Sequence, residues 1–335
     1  MELRQALKAG AGWLYLHAPL PQRLHAEGVI LMLHRVIADD RAAALPHRNE
    51  LCLGSAAFER LLRWLRRHFD CVPLMELLDP NAAPPSGRLR VALTFDDGWR
   101  DNATHAFPLL QRYQMPASIF LSTDFIGSQR AFWWESIGET LWGTYGPTAR
   151  NTLCTQLREV GAEAPAALFA QPDQYRRSLL LAQYLQCLKQ QPAGLLQALA
   201  DQCPDSLEPQ ALDWQQVRQL EDSGLIRFGP HGASHAILTG LDHAQLEREL
   251  QDSSRLLRQR CRRPLPVYCY PNGDHDEQVR RQLARHHEYR HALSTRPGLF
   301  RGRGDNLALP RIGVSQRTAQ RPELLAWRML SSGRQ

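Results

Sequence analysis

Two carboxylates and two imidazoles are the side chains of this sequence best suited to act together. Asp96 and Asp97 are adjacent in Thr94-Phe95-Asp96-Asp97-Gly98, directly after Leu89-Arg90-Val91-Ala92-Leu93. That run reads as a buried strand, and ionised carboxylates at a buried strand end cost several kcal/mol unless something positive lies between them. A metal ion would supply the charge. Matching donors occur in Phe228-Gly229-Pro230-His231-Gly232-Ala233-Ser234-His235. The four-residue spacing predicts His231 and His235 on one face of a helical turn, with Gly232 and Ala233 leaving the approach uncrowded. Two imidazole nitrogens and one carboxylate oxygen, with positions left open, form the ligand pattern of a catalytic zinc-type site. Each piece also has a plainer reading. Asp-Asp-Gly is common in solvated turns, and among thirteen histidines an HxxxH pair can arise by chance. Their joint occurrence, each beside a strand-like run, favours the metal.

A third segment, Tyr270-Pro271-Asn272-Gly273-Asp274, completes a pattern. The three segments together resemble the motifs of the polysaccharide deacetylases, the NodB-homology domain of carbohydrate esterase family 4. The resemblance spans about residues 28 to 126 and 213 to 316. It implies Asp96 as general base and Asp97, His231 and His235 as ligands of a divalent ion, zinc first, with cobalt, nickel, manganese and iron also admissible. It assigns the oxyanion donor to the backbone N–H of Asn272, with Gly273 allowing the loop to turn tightly. Such an ion would polarise an amide carbonyl and acidify bound water, and Asp96 is close enough in sequence to take the proton.

The sequence departs from the family twice. The L-x-H-like motif in which most members carry a histidine acid near the C-terminus is not found after the third motif. His34 ends the apolar run Gly28-Val29-Ile30-Leu31-Met32-Leu33 instead, which resembles the permuted members whose last motif lies on the first strand. His34 is then the general acid; otherwise it caps a strand end. The arginine that often braces the base is replaced by Cys269. Arg311, in Leu309-Pro310-Arg311-Ile312-Gly313-Val314, is the candidate substitute, and otherwise a surface ion-pair partner.

These residues need elements to hold them. Strand-like runs alternate with helical patterns, which argues an α/β layout with a largely parallel sheet whose carboxyl ends gather His34, Asp96 and Asp97. Phe58, Leu61, Leu62, Leu65 and Phe69 recur at helical spacing, Cys71-Val72-Pro73-Leu74 reads as a short strand, a helix is expected around Ala106 to Tyr113, and Ala117-Ser118-Ile119-Phe120-Leu121 reads as a strand. Asp242 and Gln245 form a capping box before a helix that buries Leu246, Leu250, Ser253 and Leu257. The resemblance implies a distorted (β/α)7 barrel of the NodB-homology type.

The catalytic domain is expected over 28–127 and 210–320, after an N-terminal helical extension (1–27) and before a C-terminal tail (321–335). Residues 128–209 read as a helical insertion, with helical runs at Tyr175–Gln190 and Pro192–Gln202, able to act as a lid or a substrate-selecting wall. Phe132-Trp133-Trp134-Glu135 opens it and could stack on sugar rings or contact lipid, although aromatic clusters are more often core.

A chain of 335 residues, 43% hydrophobic, can bury a sizeable core. Seven scattered cysteines without a CxxC pair fit a reducing compartment. No apolar run reaches the roughly eighteen residues of a membrane helix and no signal peptide is read, so the expected location is cytoplasmic. The segment Leu3 to Leu16 mixes basic and apolar residues, which would allow peripheral contact with the inner membrane, or else packing on the domain. A net charge of +6 suits acidic or lipid-linked sugars. The arginine-rich pieces read as solvated helix faces and argue against nucleic acid. The expected activity is metal-dependent removal of an N-acetyl group from an amino sugar in an envelope glycan, glycolipid or polysaccharide precursor. A deformylase, an O-acetyl esterase and a non-catalytic carbohydrate-binding protein are the alternatives.

Overall fold

A computed structural model describes residues 7–12, 26–82, 88–204 and 209–332. Four apolar runs form the centre of the sheet: β1 (Gly28–Leu33), β5 (Arg90–Phe95), β6 (Ala117–Leu121) and β7 (Ile226–Pro230). Each is buried along nearly its whole length, as strands covered on both faces must be. With β10 (Ile312–Gly313) they lie in the order β10-β1-β5-β6-β7, all parallel. The short β4 (Asp70–Cys71) pairs with the start of β5. A second parallel pair joins β8 (Val267–Cys269) to β9 (His291–Leu293). The N–H of Leu265, just before β8, donates to Phe228 of β7 at 2.7 Å, and Leu293 of β9 bridges in parallel to Leu309, just before β10. A separate parallel pair joins β2 (Arg35–Ile37) to β3 (Cys52–Gly54). The architecture is α/β, with parallel strands and helices packed outside them.

The helix Ser55–His68 buries Phe58, Leu61, Leu62 and Leu65 against the sheet and leaves Arg63, Arg66 and Arg67 in solvent. Each of those four side chains stabilises by roughly 1.5–3 kcal/mol relative to exposure. The helix His243–Arg260 starts at the Asp242–Gln245 capping box and buries Leu246, Leu250, Ser253 and Leu257, as its pattern predicts. Two local readings change. The predicted strand Cys71–Leu74 pairs only at Asp70–Cys71, with one further bond from the Val72 N–H to Val91. Pro73 has no N–H to extend the ladder, and the chain turns there into the helix Leu74–Leu77. The helix expected around Ala106 begins with a π-helical turn, Asn102–Ala106, and becomes α-helical at Phe107–Tyr113, where Pro108 cannot donate to the preceding turn.

Five helices lie between β6 and β7 before the helix Trp214–Asp222: Trp133–Trp142, Gly146–Glu159, Ala166–Ala170, Gln174–Leu188 and Ala193–Ala200. The last two match the predicted runs, and the other three were not anticipated. Together they bury a core of their own, including Ile137, Leu141, Leu157, Leu168, Leu181 and Leu196. A C-terminal helix, Pro322–Ser332, places Leu325 and Met329 in the main core. No helix among the described residues is long and apolar enough to cross a membrane. Most of the basic-apolar segment Leu3–Leu16 lies outside the described residues.

Candidate active site

The strands deliver their chemistry at their carboxyl ends. His34 follows β1, Asp96 and Asp97 follow β5, His231 follows β7 and the Asn272 loop follows β8. Parallel register aligns Leu33 with Phe95, so His34 and Asp96 leave neighbouring strands at one level. The Asp96 N–H still donates to Leu33, extending the ladder by one bond. Asp97 then turns into the left-handed region (φ 74°), followed by Gly98 (φ 84°). This turn separates the two carboxylates. A Cβ at position 98 would lie 2.7 Å from the Leu121 side chain, so the position demands glycine on two counts.

Asp97 Oδ1 is 3.3 Å from His231 Nε2 and 3.3 Å from His235 Nε2. The three atoms lie within 4.8 Å of one another. Donor atoms about 2.0–2.2 Å from a common ion, at tetrahedral or octahedral angles, are themselves about 3.0–3.5 Å apart. The spacing of this set therefore fits a metal. The tautomer fits too. His231 Nδ1 is 2.9 Å from the carbonyl oxygen of Cys269, which can only accept, so Nδ1 carries a proton and Nε2, which faces Asp97, is the nitrogen left for a ligand bond. Asp97 Oδ2 accepts from Trp99 Nε1 at 2.7 Å, leaving Oδ1 to the imidazoles. Burial opposes ionisation of Asp97, but its two imidazole neighbours hold the carboxyl well below the usual carboxylate range.

Their spacing predicts a shared helical turn, but the histidines do not lie on one. Residues 231–237 form a loop, with Gly232 at φ 75° and His235 at φ 59°. Two left-handed residues fold the loop back and bring the rings to 5.0 Å between centroids. Glu249, on the helix His243–Arg260, clamps it by accepting from the N–H groups of Ala233 at 2.7 Å and Ser234 at 3.0 Å. A Cβ at Gly232 would stand 3.0 Å from that carboxylate. The glycine that the sequence suggested for open approach is thus also required by backbone shape.

Asp96 is 2% exposed and receives paired hydrogen bonds from Arg311, Nη1 to Oδ1 and Nη2 to Oδ2, both at 2.7 Å. Arg311 is fully buried and also donates to Ser294 O at 2.9 Å and Thr94 Oγ1 at 3.2 Å. Burial would raise the Asp96 pKa, but the guanidinium outweighs it and holds the value at about 2. Cys269, at the position of the family's usual arginine, directs its Sγ to Asp96 Oδ1 at 3.4 Å, and burial pushes the thiol pKa up. A neutral thiol therefore stands beside the carboxylate while the charge comes from Arg311. His34 Nε2 is 3.9 Å from Asp96 Oδ2, and burial lowers its pKa against the opposing pull of Asp97 and Asp96. Its buried Nδ1 has no hydrogen-bond partner among the described residues.

Asn272 lies in the left-handed region (φ 57°, ψ −3°). Its side chain accepts from Lys189 Nζ at 2.7 Å and donates to Asp274 at 2.6 Å, while its carbonyl accepts from Thr295 Oγ1 at 3.2 Å. None of the hydrogen bonds among the described residues uses its backbone N–H. A Cβ at Gly273 (φ 82°) would come within 2.5 Å of the Thr295 backbone nitrogen, which is why the turn needs glycine.

His34, Asp96, Asp97, His231, His235, Asn272 and Thr295 line one cavity of about 740 Å³, together with Trp133, Trp134, Leu185, Lys189 and Leu196 from the intervening helices. The Trp134 ring is 4.7 Å from that of His235, whereas Phe132 is wholly buried and stacks on Phe125. Arg35 lies 4.2 Å over the Trp99 ring and pairs with Asp101 at 2.7 Å and Glu135 at 2.6 Å. Sequence reasoning gave no role to Trp99, Glu249 or Lys189. Trp99 carried a signal, being two residues past Asp97. The other two reach the site only through the fold.

A family profile described as Polysaccharide deacetylase matches residues 84–292, well over half of the chain. No curated protein matches. Among solved structures, the deacetylase PplD of Streptococcus pyogenes, whose structure is in complex with acetate, is similar at TM-score 0.57 and 17% identity, over 89% of this chain and 96% of that one. A polysaccharide deacetylase of Bacillus cereus is similar at TM-score 0.57 and 17% identity, over 90% and 68%. IcaB of Ammonifex degensii is similar at TM-score 0.55 and 16% identity, over 90% and 97%. At these identities the likeness establishes a shared fold.

Proposed function

The chain belongs to the polysaccharide deacetylase family, and from that membership we propose that it is a metal-dependent hydrolase acting on a carbon–nitrogen bond other than a peptide bond, removing the N-acetyl group from an amino sugar of an envelope glycan, glycolipid or polysaccharide precursor. The observation that carries the reading is the juxtaposition of an ion-spaced donor set, Asp97, His231 and His235, with Asp96 paired to Arg311 in the same buried layer. The proposed ion is divalent, zinc first, with cobalt, nickel, manganese or iron as alternatives. When bound it would supply Lewis acidity, polarising the acetyl carbonyl and acidifying water.

The chain's own residues take the remaining roles. Asp96 accepts the proton of the water that attacks the acetyl carbon, and Arg311 keeps it ionised and oriented for that transfer. The low pKa costs basicity but leaves the group free of protons at neutral pH. The Asn272 N–H donates to the oxyanion. His34, in its imidazolium form, gives a proton to the leaving amine as the C–N bond breaks, releasing acetate and the free amino sugar, and the burial that lowers its pKa makes that form the stronger acid.

We assign the five helices between Phe132 and Ala200 to an insertion within the catalytic domain, forming a wall or lid over the cavity. Trp133 and Trp134 are the surfaces on which a pyranose ring would stack. All seven cysteines are free, which supports a reducing, cytoplasmic setting; the proposed place of action is an early step of glycan assembly, with peripheral contact at the inner membrane. The strongest argument for a non-catalytic binding protein was the lost arginine at 269, and Arg311 beside Asp96 answers it.

The test is acetate release from an envelope glycolipid extract by the metal-loaded protein, with and without chelator, alongside Asp96→Asn. The expected result is chelator-sensitive release that the variant loses while retaining its metal. A fully active Asp96→Asn protein would remove Asp96 from the mechanism, and no release by the folded, metal-loaded wild type would sink the deacetylase reading.

A further inference from the structure

The loop that carries Asn272 is held partly by a residue from far outside the family's motifs. Lys189 directly follows the helix Gln174–Leu188, 83 residues before Asn272, and its ammonium donates to Asn272 Oδ1 at 2.7 Å. Asp274 holds the other end of the same amide, and Thr295 holds the Asn272 carbonyl. Asn272 stands at φ 57°, a left-handed conformation that asparagine adopts more readily than other non-glycine residues and that these contacts hold in place. Of the three clamps, Asp274 and Thr295 come from the motif's own side of the molecule. Lys189 alone comes from the inserted helices, and both it and Asn272 line the cavity.

We propose that Lys189 is a positioning residue that locks the Asn272 peptide into the conformation aiming its N–H at the reacting carbonyl, so that the inserted helices complete the oxyanion side of the site. The inference rests on the oxyanion role assigned to Asn272 above. It has a structural consequence: displacement of the helix Gln174–Leu188 would release the loop, coupling the wall of the cavity to the catalytic geometry. The cost of losing the clamp is that of misaiming a donor rather than deleting it. It should fall below the roughly 10²–10³-fold loss seen when an oxyanion donor is removed.

The experiment compares Lys189→Met and Lys189→Arg in the metal-loaded full chain by two readouts. The first is steady-state deacetylation of an acetylated amino-sugar oligomer. Lys189→Met is expected to lower kcat about tenfold or more with KM within about twofold, and Lys189→Arg to recover most of the loss. The second uses no turnover: with selective ¹⁵N-asparagine labelling, Asn272 is one of six asparagines. Its amide resonance should shift or broaden in Lys189→Met and stay near its wild-type position in Lys189→Arg. An unmoved amide in Lys189→Met overturns the proposal, as does a raised KM with intact kcat, which would make Lys189 a ground-state binding group. If the wild type itself proves inactive on acetylated sugars, the deacetylase reading fails while the amide resonance still decides what Lys189 does. Should the methionine variant not fold, Lys189→Ala takes its place in both measurements.

Discussion

Single residues in this site are specified by what they would cost alone. Arg311 and Asp96 are both buried, and their paired hydrogen bonds make each tolerable to the other. In Arg311→Met the carboxylate would lose its counter-charge, and burial would then raise its pKa. The expected destabilisation is about 3–5 kcal/mol at pH 7. The sign with pH follows from linkage. In the wild type the depressed pKa of Asp96 contributes stability that is full above the unfolded carboxylate pKa and lost as pH falls towards about 2. In the variant a raised pKa lets protonation relieve the burial at mildly acid pH, so urea melts of the two proteins should converge on acidification from pH 7. A gap that stays constant would mean that Arg311 acts through packing instead. Trp99 belongs to the same scale: its indole N–H engages Asp97 Oδ2 and leaves Oδ1 towards the imidazoles. Trp99→Phe should weaken zinc binding about 10–100-fold in competition with a chromophoric chelator, and an unchanged affinity would deny the indole that function.

Elements set the directions in which these residues point. Parallel strands put the ends of β1, β5, β7 and β8 on one side, and left-handed residues at Asp97, Gly232, His235 and Asn272 bend the following loops inwards. The histidine loop depends on a helix that carries none of its ligands. Glu249, on the helix His243–Arg260, accepts from two consecutive loop N–H groups. Glu249→Gln replaces a carboxylate by an amide and weakens both charge-assisted bonds, roughly halving their strength. The expected outcome is a lower affinity for zinc with the fold retained, read by metal titration beside a circular dichroism melt. Full affinity would show that the loop holds its shape without the clamp.

On the scale of the whole molecule, the candidate donor atoms of Asp97, His231 and His235 come from separate parts of the chain, so the proposed ion site exists only when the chain is folded. An ion that binds the native state alone stabilises by mass action, about 4 kcal/mol when its free concentration is a thousand times its Kd. Zinc should therefore raise the Tm of the protein and a chelator should lower it. His235→Ala, which removes one ligand at the cavity side, should lose most of that response. A Tm indifferent to both zinc and chelator would argue that Asp97, His231 and His235 bind no ion.

The short segments around Asp96, His231 and Tyr270 were legible in the sequence because their residue types carry strong physical preferences: apolar runs that must be buried, paired acids that need compensation, glycines that permit positive φ. The helix faces of Ser55–His68 and His243–Arg260 were legible for the same reason, through spacing and a capping box. The geometry of the histidine pair was not, since HxxxH is compatible with a helical turn and only Glu249 and two left-handed residues select the loop. Nor was Pro73's ending of a strand at Cys71, because two-residue pairing leaves almost no periodicity to read. The sequence by itself determined which groups could meet and that they would lie at strand ends. Only the tertiary structure decided between the two readings of Arg311, setting it against Asp96 rather than in a surface ion pair, and only it showed that Lys189 reaches Asn272 across 83 positions. Local preference acts over a few residues, whereas the partner of a buried charge is chosen by which elements pack beside it.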